Sequence, residues 1–233
     1  MLYRRPSIIL LTLTVCAVGS SAIAQGARQR EAARCVSPSA AQSRPRLMPR
    51  DDASTNPGFL AFRRQLQTAV AAKDREAMLR VVDPAIKLDF GGDSGIESLK
   101  RFMDDASGDF WREFELALAM GGTFDDAGNF AAPYVYSVWP EAFDSFECAA
   151  VTASAVRIRA RPDTASRTVA RLDYDIVQLL RADTIAADWR HVQLSNGLKG
   201  YVASRFVRSP VAYRALFTRV EGSWRLTAFV AGD

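Results

Sequence analysis

The clearest alternation of apolar and polar positions in the chain lies between Val151 and Arg208. Over Val156–Arg159, apolar residues alternate with arginines, which predicts a half-buried strand. Pro162 follows closely and has no N–H for a sheet ladder, so the strand is expected to end before it. The alternation returns in residues 189–194, where odd-numbered and even-numbered side chains fall on opposite faces. The segment is therefore predicted to be a run of short strands.

A tight reversal is predicted directly after residues 189–194. Asn196-Gly197 suits the positive φ angles that a two-residue hairpin turn requires. Gly200-Tyr201-Val202 then has the pattern of the returning strand. Two more strands, Tyr213–Val220 and Trp224–Val230, are predicted near the end of the chain and are joined at Glu221-Gly222.

Residues 57–122 show helical spacing, interrupted by one predicted strand at Ile86–Phe90. Pro84 is predicted to end the second helix, and Gly121-Gly122 the fourth. The predicted caps of the four helices are Asn56, Asp74, Ser94 in a capping box with Glu97, and Asp109. Residues 130–148 are dense in aromatic side chains, nearly all of which we expect in a core; a hydrophobic receptor groove is the alternative.

The motifs of residues 151–208 resemble the bacterial SH3 (SH3b) family. Members run from a valine, arginine and proline strand to a tryptophan strand, an Asn-Gly turn and a Gly-aromatic-Val strand, as here. The resemblance implies a small β-barrel that binds a ligand in an aromatic groove. Trp189 and Tyr201 match the motif positions, and Tyr174 lies in a loop expected near them. Equally, Tyr201 could belong to the barrel core and Trp189 could be a half-buried strand residue.

One stretch departs from the family pattern. Between the second and third strands the family usually carries a glycine turn, whereas this chain has Asp173-Tyr174-Asp175. The rest of the chain has helices first and a hairpin last, and Glu221–Leu226 near its end resembles NTF2-like folds, which implies a pocket between helix and sheet.

The predicted fold class is therefore α+β, with an SH3-like barrel inserted before a final hairpin. A helix-rich α+β domain over 57–148 is completed by the hairpin of 212–231, and the barrel occupies 151–208. The hairpin is expected to pair beside the 86–90 strand.

The first 24 residues have the three parts of a secretory signal: Arg4-Arg5, an apolar run over residues 8–18, and the small-residue site Ala22-Ile23-Ala24. We predict cleavage after Ala24, a periplasmic or secreted protein, and no integral membrane segment in the mature chain. An uncleaved anchor is the alternative. Cys16 lies in a sequence similar to a lipid-attachment box, but Val15 is bulky for that motif. Residues 25–56 are rich in Ala, Ser, Arg, Gln and Pro and are predicted to be a flexible linker.

Two cysteines would remain after cleavage, Cys35 and Cys148. An even number in an oxidising compartment predicts one disulfide between them, with two unrelated thiols as the alternative.

Charge and chemistry narrow the functional classes. Removal of Arg4 and Arg5 would leave 28 basic and 26 acidic residues, a near balance that gives no reason to expect a nucleic-acid partner. The chain has one histidine, His191, and no metal, nucleotide or hydrolase motif, so no cofactor, metal or catalytic residue is predicted. Asp89 and Asp93 flank a glycine pair and are the best acid/base candidates, although strand ends and helix caps account for them as well.

Two functions follow from these observations. The first is an exported, non-catalytic SH3b-domain protein that binds an envelope peptide, a protein or peptidoglycan. The second is an NTF2-like domain that binds a small molecule or hydrolyses a substrate, with the barrel as its targeting module.

Overall fold

The computed structural model describes residues 44–180 and 187–232. The predicted signal segment, Cys35 and most of the predicted linker lie outside these residues. No helix within the described ranges has the length and apolarity needed to cross a membrane.

The described chain contains helices and two separate β-sheets, so the fold is α+β as predicted. The α-helices are α1 (Pro57–Ala71), α2 (Arg75–Val81), α3 (Gly95–Met103), α4 (Asp109–Ala119) and α5 (Tyr134–Ser137). Short 3₁₀ turns occupy Ala53–Thr55 and Ser204–Phe206.

The first sheet has five strands in the order β1-β12-β11-β3-β2. Its strands are β1 (Val82–Lys87), β2 (Thr123–Phe124), β3 (Phe130–Ala132), β11 (Arg214–Val220) and β12 (Ser223–Val230). The hairpin of β11 and β12 pairs with β3 on one side and runs parallel to β1 on the other. The end of the chain is thus built into the same sheet as elements that precede residue 133.

Helices and the first sheet share one aromatic core. The Phe59 ring of α1 lies 4.2 Å from Phe130 and 4.8 Å from Trp224, measured between ring centroids. The Phe229 ring of β12 lies 5.0 Å from Phe114 on α4. These rings are buried and supply a large apolar area at low conformational cost, which fixes the helices on the sheet.

The second sheet has seven strands in the order β10-β4-β7-β8-β9-β5-β6. Its strands are β4 (Cys148–Val151), β5 (Val156–Arg159), β6 (Thr168–Leu172), β7 (Ile176–Leu179), β8 (Trp189–Gln193), β9 (Lys199–Ala203) and β10 (Val207–Arg208). All of its pairings are antiparallel. Within the described ranges β10 and β6 are not paired with each other, so hydrogen bonds do not close this sheet into a barrel.

The sheet curves around its own small core of aliphatic side chains. This core contains Val151, Val156, Ile158, Leu172, Val177, Val192, Leu194 and Val202. Val192 and Leu194 point inward, as the alternation in β8 predicts, and Gly197 has the predicted positive φ, +83°, in the β8–β9 turn.

Several helix boundaries follow the sequence and others differ. Asn56 and Asp74 cap α1 and α2 through their side chains, as predicted. Pro84, predicted to end the second helix, instead lies inside β1, which begins earlier than the predicted Ile86–Phe90 strand. Pro84 is tolerated there because β1 is an edge strand and needs no donor at that position.

The other two caps differ from their predictions. Gly108, at φ +67°, occupies the N-cap position of α4, so Asp109 is its first residue rather than its cap. Ser94 is the N-cap residue of α3, but its side chain does not bond to the helix, and Glu97 pairs with Lys100 instead of closing a capping box.

Residues 44–56, predicted as part of a flexible linker, are bound to the folded chain. Leu47 is buried against Tyr134 and Ile176, and its backbone N–H donates to the Tyr174 carbonyl at 2.8 Å. The Ile176 N–H donates to the Pro45 carbonyl at 2.8 Å. This contact was not predictable from the sequence, because a single apolar residue among polar ones has no periodicity.

Candidate functional site

The most distinctive surface of the second sheet is a groove of about 280 Å³ beside Trp189. We call it the Trp189 groove. Its lining residues are Ser154, Ala155, Val156, Arg157, Arg159, Thr164, Trp189, Ala203, Arg205 and Phe206.

Trp189 forms the floor of this groove. It pairs with Ala203 across the β8–β9 ladder, and only 9% of the residue is exposed. A ring this covered offers a ligand only a small part of its surface. Trp189 therefore contributes to both the fold and the groove, which joins the two roles that the sequence left open.

Three arginines surround the floor. Arg157 and Arg159 alternate with the buried Val156 and Ile158 on β5, which places their side chains on the outer face of the sheet. The Arg159 Nη1 donates to the Ser166 carbonyl at 2.6 Å. Arg205 lies in the 3₁₀ turn that follows β9, with its guanidinium carbon 4.8 Å from the Phe206 ring centroid.

None of these three arginines forms an ion pair with a carboxylate of the described residues. Across residues 44–180 and 187–232, every ion pair of an arginine involves other residues, and none includes Arg157, Arg159 or Arg205. The sequence between residues 151 and 208 carries ten Arg or Lys residues against five Asp residues. The groove is therefore a cationic surface with an aromatic floor, which favours an anionic ligand.

Tyr201 lies on the same outer face, next to the groove. It pairs with His191 across β8–β9 and with Arg159 across β5–β9. The Tyr201 and His191 rings stack with centroids 4.6 Å apart and planes 13° from parallel. Tyr201 is thus a half-buried surface residue and is not among the aliphatic core residues of the second sheet. The structure brings it and Trp189 to one face, although Tyr201 does not line the groove itself.

His191 is kept neutral by its surroundings. Burial lowers the pKa of the imidazole below its usual 6.5, and the nearby Lys199 ammonium lowers it further. At neutral pH the ring therefore stacks as an uncharged aromatic.

Tyr174 is not among the residues that line the Trp189 groove, and its part in ligand binding stays a prediction. It occupies the turn between β6 and β7, and its carbonyl accepts the bond from Leu47. Its φ is +59°, the conformation for which the family uses glycine. Bonds on both sides hold this turn, since the Tyr174 N–H donates to Ala153 and the Asp173 N–H donates to Asp175 Oδ2.

Tyr174 lies near a second tyrosine, Tyr134, which is buried. Burial raises the pKa of the Tyr134 hydroxyl to about 12, and the nearby Tyr174 adds to this effect. The Tyr134 hydroxyl is buried without a hydrogen-bond partner among the described residues.

Cys148 begins β4, is completely buried and is disulfide-bonded. The predicted partner, Cys35, lies outside the described residues, so the Cys35–Cys148 pairing stays a prediction.

Asp89 and Asp93, the two acid/base candidates, form hydrogen bonds within and next to their own loop. Asp89 Oδ1 accepts a bond from the Asp93 N–H at 2.7 Å, and Asp93 Oδ1 accepts one from the Ser98 hydroxyl at 2.6 Å. Arg101 lies 3.6 Å from the same Asp93 oxygen. In the part of the chain that the structure describes, no three His, Cys, Asp or Glu side chains are grouped to hold a metal ion.

Comparison with known proteins adds no identity to this geometry. No family model matches the chain, and no curated protein matches it either.

Trp189 was predicted from the sequence as a ligand-binding candidate, whereas the arginines that line the same groove were not. The alternation in β5 already puts Arg157 and Arg159 on an outer face, and that signal was available. Arg205 and Phe206 were not predictable, because a 3₁₀ turn after β9 brings them back to the groove.

Proposed function

We propose that the chain is an exported, non-catalytic binding protein whose residues 151–208 form an SH3-like module. In this proposal the Trp189 groove takes an extended peptide that carries carboxylates, and peptidoglycan, with its short acidic peptides, is the envelope material that fits best. One observation carries the proposal: three arginines without carboxylate partners among the described residues surround an aromatic floor.

The SH3-like assignment is supported by strand order and turn chemistry. The valine and arginine strand β5, the tryptophan strand β8 and the Gly-Tyr-Val strand β9 are neighbours in the order β8-β9-β5. They share one aliphatic core, and the Asn196-Gly197 turn joins β8 to β9.

Export is supported by the first 24 residues. Arg4-Arg5, the apolar run and the Ala22–Ala24 site follow the order of a cleavable secretory signal. A periplasmic or secreted protein would meet cell-wall peptides directly.

A binding role is favoured over a hydrolytic one by how the reactive groups are used. The chain's one histidine is stacked on Tyr201, and the Asp89 and Asp93 carboxylates hold their own loop. An extended peptide, in contrast, needs a shallow groove with fixed aromatic and polar contacts, which is what the Trp189 groove offers.

The proposal is tested by co-sedimentation of the purified exported chain with insoluble peptidoglycan. Arg157→Gln combined with Arg205→Gln removes two groove cations that face solvent, so the fold should survive. We expect this variant to lose about tenfold in affinity, as befits two charge-assisted contacts. Arg190→Gln is the matched control, because Arg190 is exposed on the same sheet but does not line the groove.

Trp189→Ala is the second variant and is expected to abolish retention. Since Trp189 is largely buried, the unfolding curve of the Trp189→Ala variant has to be compared with that of the wild type. Equal retention of wild type and the double arginine variant, or no retention of wild type, would contradict the proposal.

A further inference from the structure

A second cleft lies on the first sheet, outside the SH3-like module. Its volume is about 550 Å³, within the range of small-molecule sites. Phe217 and Phe229 point from β11 and β12 into the helical core, whereas Leu216 and Ala228 line this cleft. The cleft therefore lies on the sheet face opposite α1 to α4, with Tyr136 of α5 beside it. We call it the Arg214 cleft.

Arg214 lines the cleft, and its contacts hold its side chain in one orientation. Its guanidinium carbon lies 5.3 Å from the Phe90 ring centroid and 4.8 Å from the Tyr136 ring centroid. Its Nη1 donates to the Gly232 carbonyl at 2.8 Å. Two aromatic rings and a carbonyl thus hold a planar cation in one orientation, which suits recognition of a carboxylate.

The cleft is lined by two cations, Lys87 and Arg214, and by two carboxylates, Asp89 and Asp93. Neither Lys87 nor Arg214 forms an ion pair with a described residue. Of the two acids, Asp93 already binds the Ser98 hydroxyl and lies near Arg101. Asp89 uses one oxygen for the Asp93 N–H. With Arg101 included, three cations face two carboxylates, a small positive excess that favours an anion.

The mouth of the cleft carries an exposed aromatic side chain on a well-bonded turn. Phe90 is 57% exposed, and Tyr136 on the other side is 36% exposed. The Leu88 N–H donates to the Asp93 carbonyl at 3.0 Å, and the Asp93 N–H donates to Asp89 Oδ1 at 2.7 Å. Phe90 is therefore held out toward solvent by bonded backbone, beside a floor formed by Leu216, Ala228 and Val230.

We propose that the Arg214 cleft binds a small organic acid with an apolar or aromatic body. Arg214 and Lys87 receive the carboxylate, and Phe90 covers the body against the apolar floor. The inference does not depend on the proposed function, because the two sites share no residue.

Isothermal titration calorimetry of the exported chain tests it, with naphthylacetate as the probe. Its neutral isostere naphthylacetamide has the same ring and almost the same shape. We expect the acid to bind at least about tenfold more tightly than the amide, since the charge-assisted contact is lost in the amide.

Matched variants locate the site. Phe90→Ala is expected to weaken binding about fivefold, whereas Phe146→Ala, which truncates a comparably exposed phenylalanine elsewhere, leaves it unchanged. Lys87→Gln is expected to weaken it by a similar factor, with Lys73→Gln as the control. Both test residues are exposed or loop-borne, so their replacement preserves the fold.

Three results would overturn the inference. They are equal affinity for acid and amide, no binding of the acid, and binding of the acid that survives both Phe90→Ala and Lys87→Gln. Trp189 does not line the Arg214 cleft, so a folded Trp189→Ala variant that loses peptidoglycan binding and retains naphthylacetate binding separates the two sites.

Discussion

Arg208 of β10 donates a hydrogen bond of 2.6 Å from Nη1 to Glu113 Oε2 of α4. Its Nη2 donates to the Tyr213 carbonyl at 2.7 Å, and the two side chains are only 9% and 17% exposed. This ion pair links the last strand of the second sheet to a helix that packs on the first. Because the pair is largely screened from water, replacing Glu113 leaves the Arg208 charge buried without its carboxylate, whereas replacing Arg208 leaves Glu113 with Arg112 Nη2 at 3.5 Å.

Removing one partner of this pair should be strongly destabilising. We expect Arg208→Met or Glu113→Gln to lower the free energy of unfolding by about 3 kcal/mol, measured by urea denaturation. The double variant should lose less stability than the sum of the two single variants, because neither charge then remains buried without its partner. Arg75→Gln breaks the exposed pair with Asp104 and should cost less than about 1 kcal/mol. Additive losses would show that the pair is not coupled.

Gly200 allows the close approach of β9 to its neighbouring strand β5. A Cβ at this position would lie 2.6 Å from Ile158 Cγ2 and 2.9 Å from the Arg159 carbonyl oxygen. Gly200→Ala should therefore cost about 1–3 kcal/mol of stability, since the strand must shift. Gly58→Ala is the control: its Cβ meets nothing closer than 3.5 Å, in a helix that prefers alanine. A Gly200→Ala protein as stable as wild type would exclude this close approach.

Leu47 tests whether residues 44–47 belong to the folded domain. It is 5% exposed, whereas the neighbouring Met48 is 57% exposed. Leu47→Ala should lower the free energy of unfolding by about 2–3 kcal/mol through the lost burial and the cavity left behind. Met48→Ala should have no measurable effect. If the two variants are equally stable, this stretch is a linker as its composition suggested.

His191 should show an acid-dependent loss of stability. Its folded pKa is lowered by burial and by Lys199, so the unfolded chain binds more protons once the pH falls below about 6.5. The contribution of His191 is complete above that pH and is lost as the pH falls toward the lowered folded pKa. The imidazole signal of the only histidine gives the pKa directly by proton NMR.

The control for this titration is His191→Gln, which should flatten the stability profile between about pH 5 and 7. A measured His191 pKa at or above 6.5 would contradict the account of its environment.

Local chemistry was readable from the sequence wherever a single residue type determines the backbone. Asn56 and Asp74 cap their helices, and Asn196-Gly197 turns a hairpin, because side-chain oxygens and a positive φ act within a few residues. Pro84 was misassigned, because an edge strand tolerates proline as well as a helix end does.

Contacts between distant segments were not readable in the same way. The burial of Leu47 under the Tyr174 turn and the pairing of Arg208 with Glu113 join residues far apart in the chain. The Trp189 groove shows both cases: alternation predicts the face of Arg157, whereas the position of Arg205 depends on how β9 ends.

We propose that the Trp189 groove recognises carboxylates on an extended envelope peptide. The most direct measurement compares binding isotherms of the exported chain on native peptidoglycan and on peptidoglycan whose carboxylates have been converted to amides. The account predicts at least about tenfold weaker binding to the amidated material, with the binding to native material weakened by added salt. Equal affinity for the two materials would contradict it.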